Sequence, residues 1–121
     1  MEGLDSLVSG LLTLVDTAAK SNVEQVVFGM AHRGRLETLY NVFQKSPEEI
    51  MAEFQDLKGK YDEDRWGNSG DVKYHLGCTN EVKYGDHTIR LNILPNPSHL
   101  EVVNPLVYGK VRALQDILND D

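Results

Sequence analysis

The period of the apolar residues changes twice within the first 43 positions, and that change sets the fold class. Leu4, Leu7, Val8, Leu11, Leu12, Val15, Ala18 and Ala19 recur at steps of three and four, which puts them on one face of a helix of about four turns. Val23 to Phe28 is a short apolar run rich in β-branched residues between Ser21-Asn22 and Gly29. It reads as a buried strand. Helical spacing resumes at Leu36, Leu39, Tyr40 and Phe43. Strands alternating with amphipathic helices predict an α/β domain in layers, because each helix must cover its apolar stripe with a neighbouring element.

The remaining elements follow from local signals. Gly10 inside the first helix predicts close packing or a bend. Ser46-Pro47-Glu48-Glu49 has the pattern of a capping box with Pro at the first helical position. Ile50, Met51 and Phe54 form the apolar side of that helix. From Lys58 to Gly70 the pattern gives way to Gly, Asp, Glu, Lys and Asn around Trp66, which predicts an exposed loop. Periodicity returns at Thr88, where Ile89, Leu91 and Ile93 alternate with Arg90 and Asn92 as in a strand. Leu94 leads into Pro95-Asn96-Pro97, and Asn104-Pro105 opens a last helix carrying Leu106, Val107, Val111, Leu114 and Leu118.

A length of 121 residues fits one domain. Nineteen acidic against 12 basic residues give a formal charge of −7, which argues against a nucleic-acid surface because phosphate binding needs clustered cations. The single Cys78 cannot form an internal disulfide and points to a reducing compartment, as an ordinary buried or half-buried thiol. No run approaches the roughly 20 apolar residues that cross a bilayer, and the first residues lack a secretory signal or an Arg-rich transit pattern. Met1-Glu-Gly-Leu4 enters the helical pattern almost at once, as a chain start at an internal boundary would. Four scattered His without Cys or Glu at ligand spacing exclude a zinc site. His87, beside Asp86 in a hairpin-like loop, reads as a surface residue. Glu48, Glu49 and Glu53 read as a solvated face.

Three segments carry the candidate chemistry. His32, Arg33 and Arg35 lie at a strand-to-helix turn, where backbone N–H groups and the helix dipole favour an anion. An imidazole with an arginine fork could recognise an oxo acid and a phosphorylated cofactor. The alternative is a turn whose arginines make structural ion pairs. His75 follows Asp71-Val-Lys-Tyr74 at the end of the polar loop and is either delivered to a pocket or an ordinary structural histidine. In Asn96-Pro97-Ser98-His99-Leu100 the prolines at 95 and 97 fix the backbone around a hydroxyl and an imidazole. Ser98 and His99 are adjacent and no Gly-x-Ser-x-Gly elbow surrounds them, so a serine hydrolase is rejected. Both Gly29–Leu36 and Pro95–Leu100 follow expected strands, where open α/β sheets gather ligands.

Gly29-Met-Ala-His-Arg-Gly-Arg-Leu36, Ser69-Gly-Asp-Val-Lys-Tyr-His-Leu-Gly77 and Asn96-Pro-Ser-His-Leu-Glu101 stand in that order. Together they resemble the thiamine diphosphate-dependent first component of 2-oxoglutarate dehydrogenase, in the amino-terminal part of its thiamine-binding region. The resemblance covers about the whole chain. It implies a layered strand-helix domain that is part of a thiamine diphosphate-binding fold, with residues 1–121 forming a single partial domain. By the match of motifs, Arg33 contacts cofactor and substrate, while Ser98 and Leu100 line the thiamine diphosphate site. His32 and His75 face the oxo acid and serve as the catalytic pair, and Ser98 and His99 complete the substrate-binding set. The implied chemistry is attack of the thiazolium carbanion on the keto carbon of 2-oxoglutarate, loss of carbon dioxide, and succinyl transfer to a lipoyl arm. The implied partner is the lipoyl-bearing succinyltransferase component, in an enzyme that is a homodimer. The implied location is the mitochondrial matrix or bacterial cytoplasm, with no nucleic-acid or membrane partner.

The sequence also departs from the family pattern. Glu37 stands where that family has Asn, and the linker around Tyr61–Asn68 is longer. Mg2+ in that family is held by Gly-Asp, small residues and, roughly 25 to 30 residues on, Asn. Gly70-Asp71 with Asn96 and Gly85-Asp86 with Asn119 both fail that pattern, so the metal ligands are expected beyond the C-terminus and this chain alone is expected to be inactive. A 2-oxoadipate dehydrogenase fragment and a non-catalytic assembly domain are the alternatives.

Overall fold

The computed structural model describes residues 4–54, 73–96 and 99–120. Helix α1 spans Leu7–Lys20, strand β1 Gln25–Phe28, helix α2 Arg35–Asn41 and helix α3 Pro47–Phe54. A 3-10 turn at Lys73–His75 precedes strand β2 (Cys78–Tyr84), strand β3 (His87–Ile93) and helix α4 (Val103–Leu118). Helices and one mixed sheet form the α/β layers that the periodicity predicts. The strand order is β1-β3-β2, with β3 parallel to β1 and antiparallel to β2.

The core forms on one face of that sheet. Ile89, Leu91 and Ile93 project from β3 at period two and meet Val15 and Ala19 of α1, Leu39 of α2, Val42, Phe43 and Val82. Phe28 meets Phe43 edge-on, with ring centroids 5.3 Å apart. Helix α1 stops because Asn22 takes a left-handed φ of 61°, and Val23 N–H then donates to Ala18 O at 3.0 Å. The opposite face is polar. Glu81 pairs with Arg90 at 2.6 Å across the strands, and Thr79 Oγ1 donates to Asn92 Oδ1 at 3.0 Å.

The elements depart from expectation in four places. Strand β1 is half-buried along its length rather than buried, because only one of its faces meets the main core. Gly10 faces open space, so it does not mark close packing. Of the residues on α4, Val103 is buried and lies over Gly29, where an added Cβ would stand 2.8 Å from Val103 Cγ2. Leu106, Val111 and Leu118 are exposed, since no second layer covers them among the described residues. Strand β2 has no counterpart in the apolar periodicity. The expected loop at 58–70 lies outside the described residues.

Candidate functional site

The sheet brings the three motifs to one edge. Phe28 pairs with Ile93 and Ile93 with Cys78, so the last residues of β1 and β3 and the first of β2 form one row. The segment after Phe28, the one after Ile93 and the one before Cys78 therefore meet beyond that row. Parallel pairing of β1 and β3 puts their carboxyl ends together, which is where loops of open α/β sheets build sites.

Arg35 fastens these segments. Its side chain is 0% exposed, and Nη1 donates to Met30 O at 3.1 Å and Asn96 Oδ1 at 2.8 Å. Nη2 donates to Leu76 O at 2.8 Å and Leu94 O at 2.6 Å. Asn96 N–H donates in turn to His75 O at 3.1 Å, and Arg35 N–H donates to His32 O at 3.0 Å. A guanidinium suits this task because its planar fork presents several donors in fixed directions. Burial lowers the pKa of Arg35, with Cys78 opposing that shift.

For Arg35 this departs from both expectations, the anion turn and the structural ion pair. Arg35 directs Nη1 and Nη2 to carbonyl and amide oxygens rather than to a carboxylate, while its buried Nε has no partner among the described residues. Helix α2 is only seven residues long, and its first N–H is already taken by His32 O, so its N-terminus is not an anion site. Arg33, two residues earlier, is exposed. Gly34 separates the two arginines with a φ of 81°, a left-handed conformation that costs other residues about 1–2 kcal/mol.

The other assigned residues divide by position. The rings of His32 and His75 lie 4.8 Å apart, although 43 positions separate them in the sequence (75 less 32). Tyr74 stacks on His32 at 5.5 Å and meets Phe54 edge-on at 5.8 Å. His32 Nε2 is buried and has no hydrogen-bond partner among the described residues, which leaves one polar atom of the pair able to take a ligand. His99 and Leu100 are exposed, Leu100 to 76%. Ser98 lies outside the described residues. Sequence reasoning missed Tyr74 and Asn96 as parts of this arrangement. The prolines at 95 and 97 flank Asn96 and were the available sign of a fixed turn.

The fit to thiamine diphosphate and Mg2+ is one-sided. The orphaned imidazole nitrogen, with Arg33 on the same turn, suits the oxyanions of an oxo acid. No group of three His, Cys, Asp or Glu that could hold a metal occurs among the described residues. Likewise, no described helix is long and apolar enough to cross a membrane.

No protein-family model matches the chain. Individual proteins do. It is 45% identical over 120 residues, 99% of its length, to a 2-oxoglutarate dehydrogenase E1 component of Rickettsia conorii, covering 13% of that protein. It is 47% identical over 125 residues to a mitochondrial 2-oxoglutarate dehydrogenase of Saccharomyces cerevisiae, covering 99% of this chain and 12% of that one. A 2-oxoglutarate dehydrogenase E1/E2 component of Corynebacterium glutamicum is 43% identical over 121 residues, 98% of this chain and 10% of that protein. The chain thus spans about an eighth of the length of the first two relatives and a tenth of the third. With 43–47% identity along nearly all of its residues, the chain is homologous to one segment of the 2-oxoglutarate dehydrogenase E1 component.

Proposed function

We propose that this chain is one partial domain of a 2-oxo acid dehydrogenase subunit, and that it supplies the substrate side of a site that decarboxylates 2-oxoglutarate. The observation that carries the reading is the meeting of His32 and His75, 4.8 Å apart, with His32 Nε2 left without a partner. Thiamine diphosphate, when bound with Mg2+, would supply a nucleophilic carbon and an electron sink for decarboxylation.

His32 and His75 bind the oxo acid and hold or pass a proton beside the reacting carbon. Arg33 holds a carboxylate of the substrate and touches the cofactor. Ser98 and His99 add hydrogen bonds to the substrate. Ser98 and Leu100 line the cofactor, Leu100 by shape; its exposed side chain is available for that contact. The Mg2+ ligands belong to sequence outside this segment. The whole subunit works as a homodimer in the mitochondrial matrix or the bacterial cytoplasm and passes a succinyl group to the lipoyl arm of a succinyltransferase.

The test is made in the full-length subunit with thiamine diphosphate and Mg2+, following carbon dioxide released from 2-oxoglutarate. His75→Ala is expected to lower kcat/KM about 100-fold, the scale of one lost acid-base group. Unchanged decarboxylation by that variant sinks the assignment. A preference for 2-oxoadipate in the unsubstituted enzyme would redirect the substrate, and no decarboxylation at all would favour an assembly role.

A further inference from the structure

Resting on that reading, we propose that Arg35 is the positioning residue of the site: its guanidinium, not the sheet alone, sets the spacing of His32 and His75. The geometry holds each histidine at its own carbonyl and at one more carbonyl within two residues of it. Arg35 Nη1 holds Met30 O, two residues before His32, while Arg35 N–H holds His32 O itself. On the other segment Arg35 Nη2 holds Leu76 O, directly after His75. Asn96, whose side-chain oxygen is fixed by Nη1, donates its own N–H to His75 O. The partners at Leu76, Leu94 and Asn96 lie 41, 59 and 61 residues away in sequence. One side chain therefore fixes three chain segments that no short loop joins.

Residue chemistry supports a specific need for arginine here. A buried cation without a carboxylate partner is costly. The cost is offset because all four contacts are charge-assisted bonds to oxygens that the bends of these segments leave outside the strand ladders. Lysine has one nitrogen, so it cannot span the separation between Asn96 Oδ1 and Leu76 O with two parallel donors. Its charge would remain, but the frame would loosen. A displacement of about 1 Å at reacting groups costs on the order of 100-fold in rate.

The full-length subunit carrying Arg35→Lys tests this. A folded variant is expected to lose about 100-fold in kcat for 2-oxoglutarate decarboxylation with a much smaller change in KM. In Arg35→Ala, added guanidinium is expected to restore part of kcat and methylammonium none, a pattern that a merely structural loss would not give. Diethyl pyrocarbonate labelling, read by peptide mass mapping, supplies a measure that needs no activity: His32 and His75 should be modified several-fold faster in Arg35→Lys. A folded Arg35→Lys enzyme with normal kcat, or with unchanged labelling, overturns the proposal. Should Arg35→Lys not fold, Asn96→Ser decides, because it removes one of the four acceptors; about a 10-fold fall in kcat supports the frame and a normal kcat overturns it. If the unsubstituted subunit does not decarboxylate 2-oxoglutarate, the functional reading fails while the labelling still decides the role of Arg35.

Discussion

Single residues at the strand edge have little freedom, because three backbones converge there. Gly77 shows the limit: an added Cβ would stand 2.9 Å from Ile93 O and 2.8 Å from Pro95 Cδ. Neither neighbour can yield easily. One is a backbone carbonyl in the central strand and the other a ring in a φ-fixed turn. Gly77→Ala is therefore expected to destabilise the protein by about 1–3 kcal/mol, the range for overpacking a close contact. The same shift would move Leu76 O away from Arg35, so activity should fall further than stability does. Thermal melting beside steady-state kinetics checks this, and an Ala variant with normal melting and normal rate would refute it. Arg33 and Arg35 make the complementary point. One is exposed and the other fully buried, with Gly34 between them at a left-handed φ of 81°, and no property of the residue type itself distinguishes the two.

At the scale of elements, the sequence spoke clearly wherever local chemistry decides the outcome. Ser46 and Glu49 form the expected capping box, with Glu49 N–H donating to Ser46 Oγ at 3.1 Å and Ser46 N–H to Glu49 Oε2 at 3.2 Å. Helix α1 and strand β3 follow their apolar periods. Strand β2 was illegible because an inward position is filled by Asn80, whose Nδ2 donates to Phe43 O at 2.7 Å. A polar residue satisfied by a distant carbonyl erases the alternation that marks a strand. The acidic face at α3 is solvated as expected, with Glu48 and Glu49 exposed and Glu53 half-exposed. Glu49 caps the helix, and Glu53 pairs with the largely covered Lys45 at 2.5 Å. Arg35 is the extreme case, since nothing local announces a side chain whose partners all lie in loops. Asn80→Ala leaves Phe43 O without its donor and should cost about 1–3 kcal/mol, measurable by urea denaturation. A loss below a few tenths would show that water replaces the amide.

At the scale of the whole molecule, the β2–β3 hairpin carries two half-buried titratable groups, Cys78 and Tyr84. Burial raises the Cys78 thiol above its ordinary value, with Glu53 and Glu49 adding to that and Lys45 and Arg35 opposing it. Burial also raises the Tyr84 phenol, helped by Asp16, and the Tyr84 hydroxyl has no partner among the described residues. Both groups are thus held neutral in the folded state. The unfolded chain gives up these protons at lower pH, so between the unfolded and folded values it binds fewer protons than the native state, and stability falls as pH rises. The contribution is fully present below the ordinary thiol range and is lost as pH climbs through the raised values. Melting temperature is therefore expected to hold near neutral pH and drop on the alkaline side. Cys78→Ala should flatten the first part of that drop, and Tyr84→Phe the part at higher pH, where phenols ordinarily ionise. The substitutions separate the groups because the thiol's ordinary value of 9.0 lies below the phenol's 10.0. Alkaline melting curves that superimpose for both variants and the parent would show instead that general charge repulsion, starting from a net charge of −7, governs the loss.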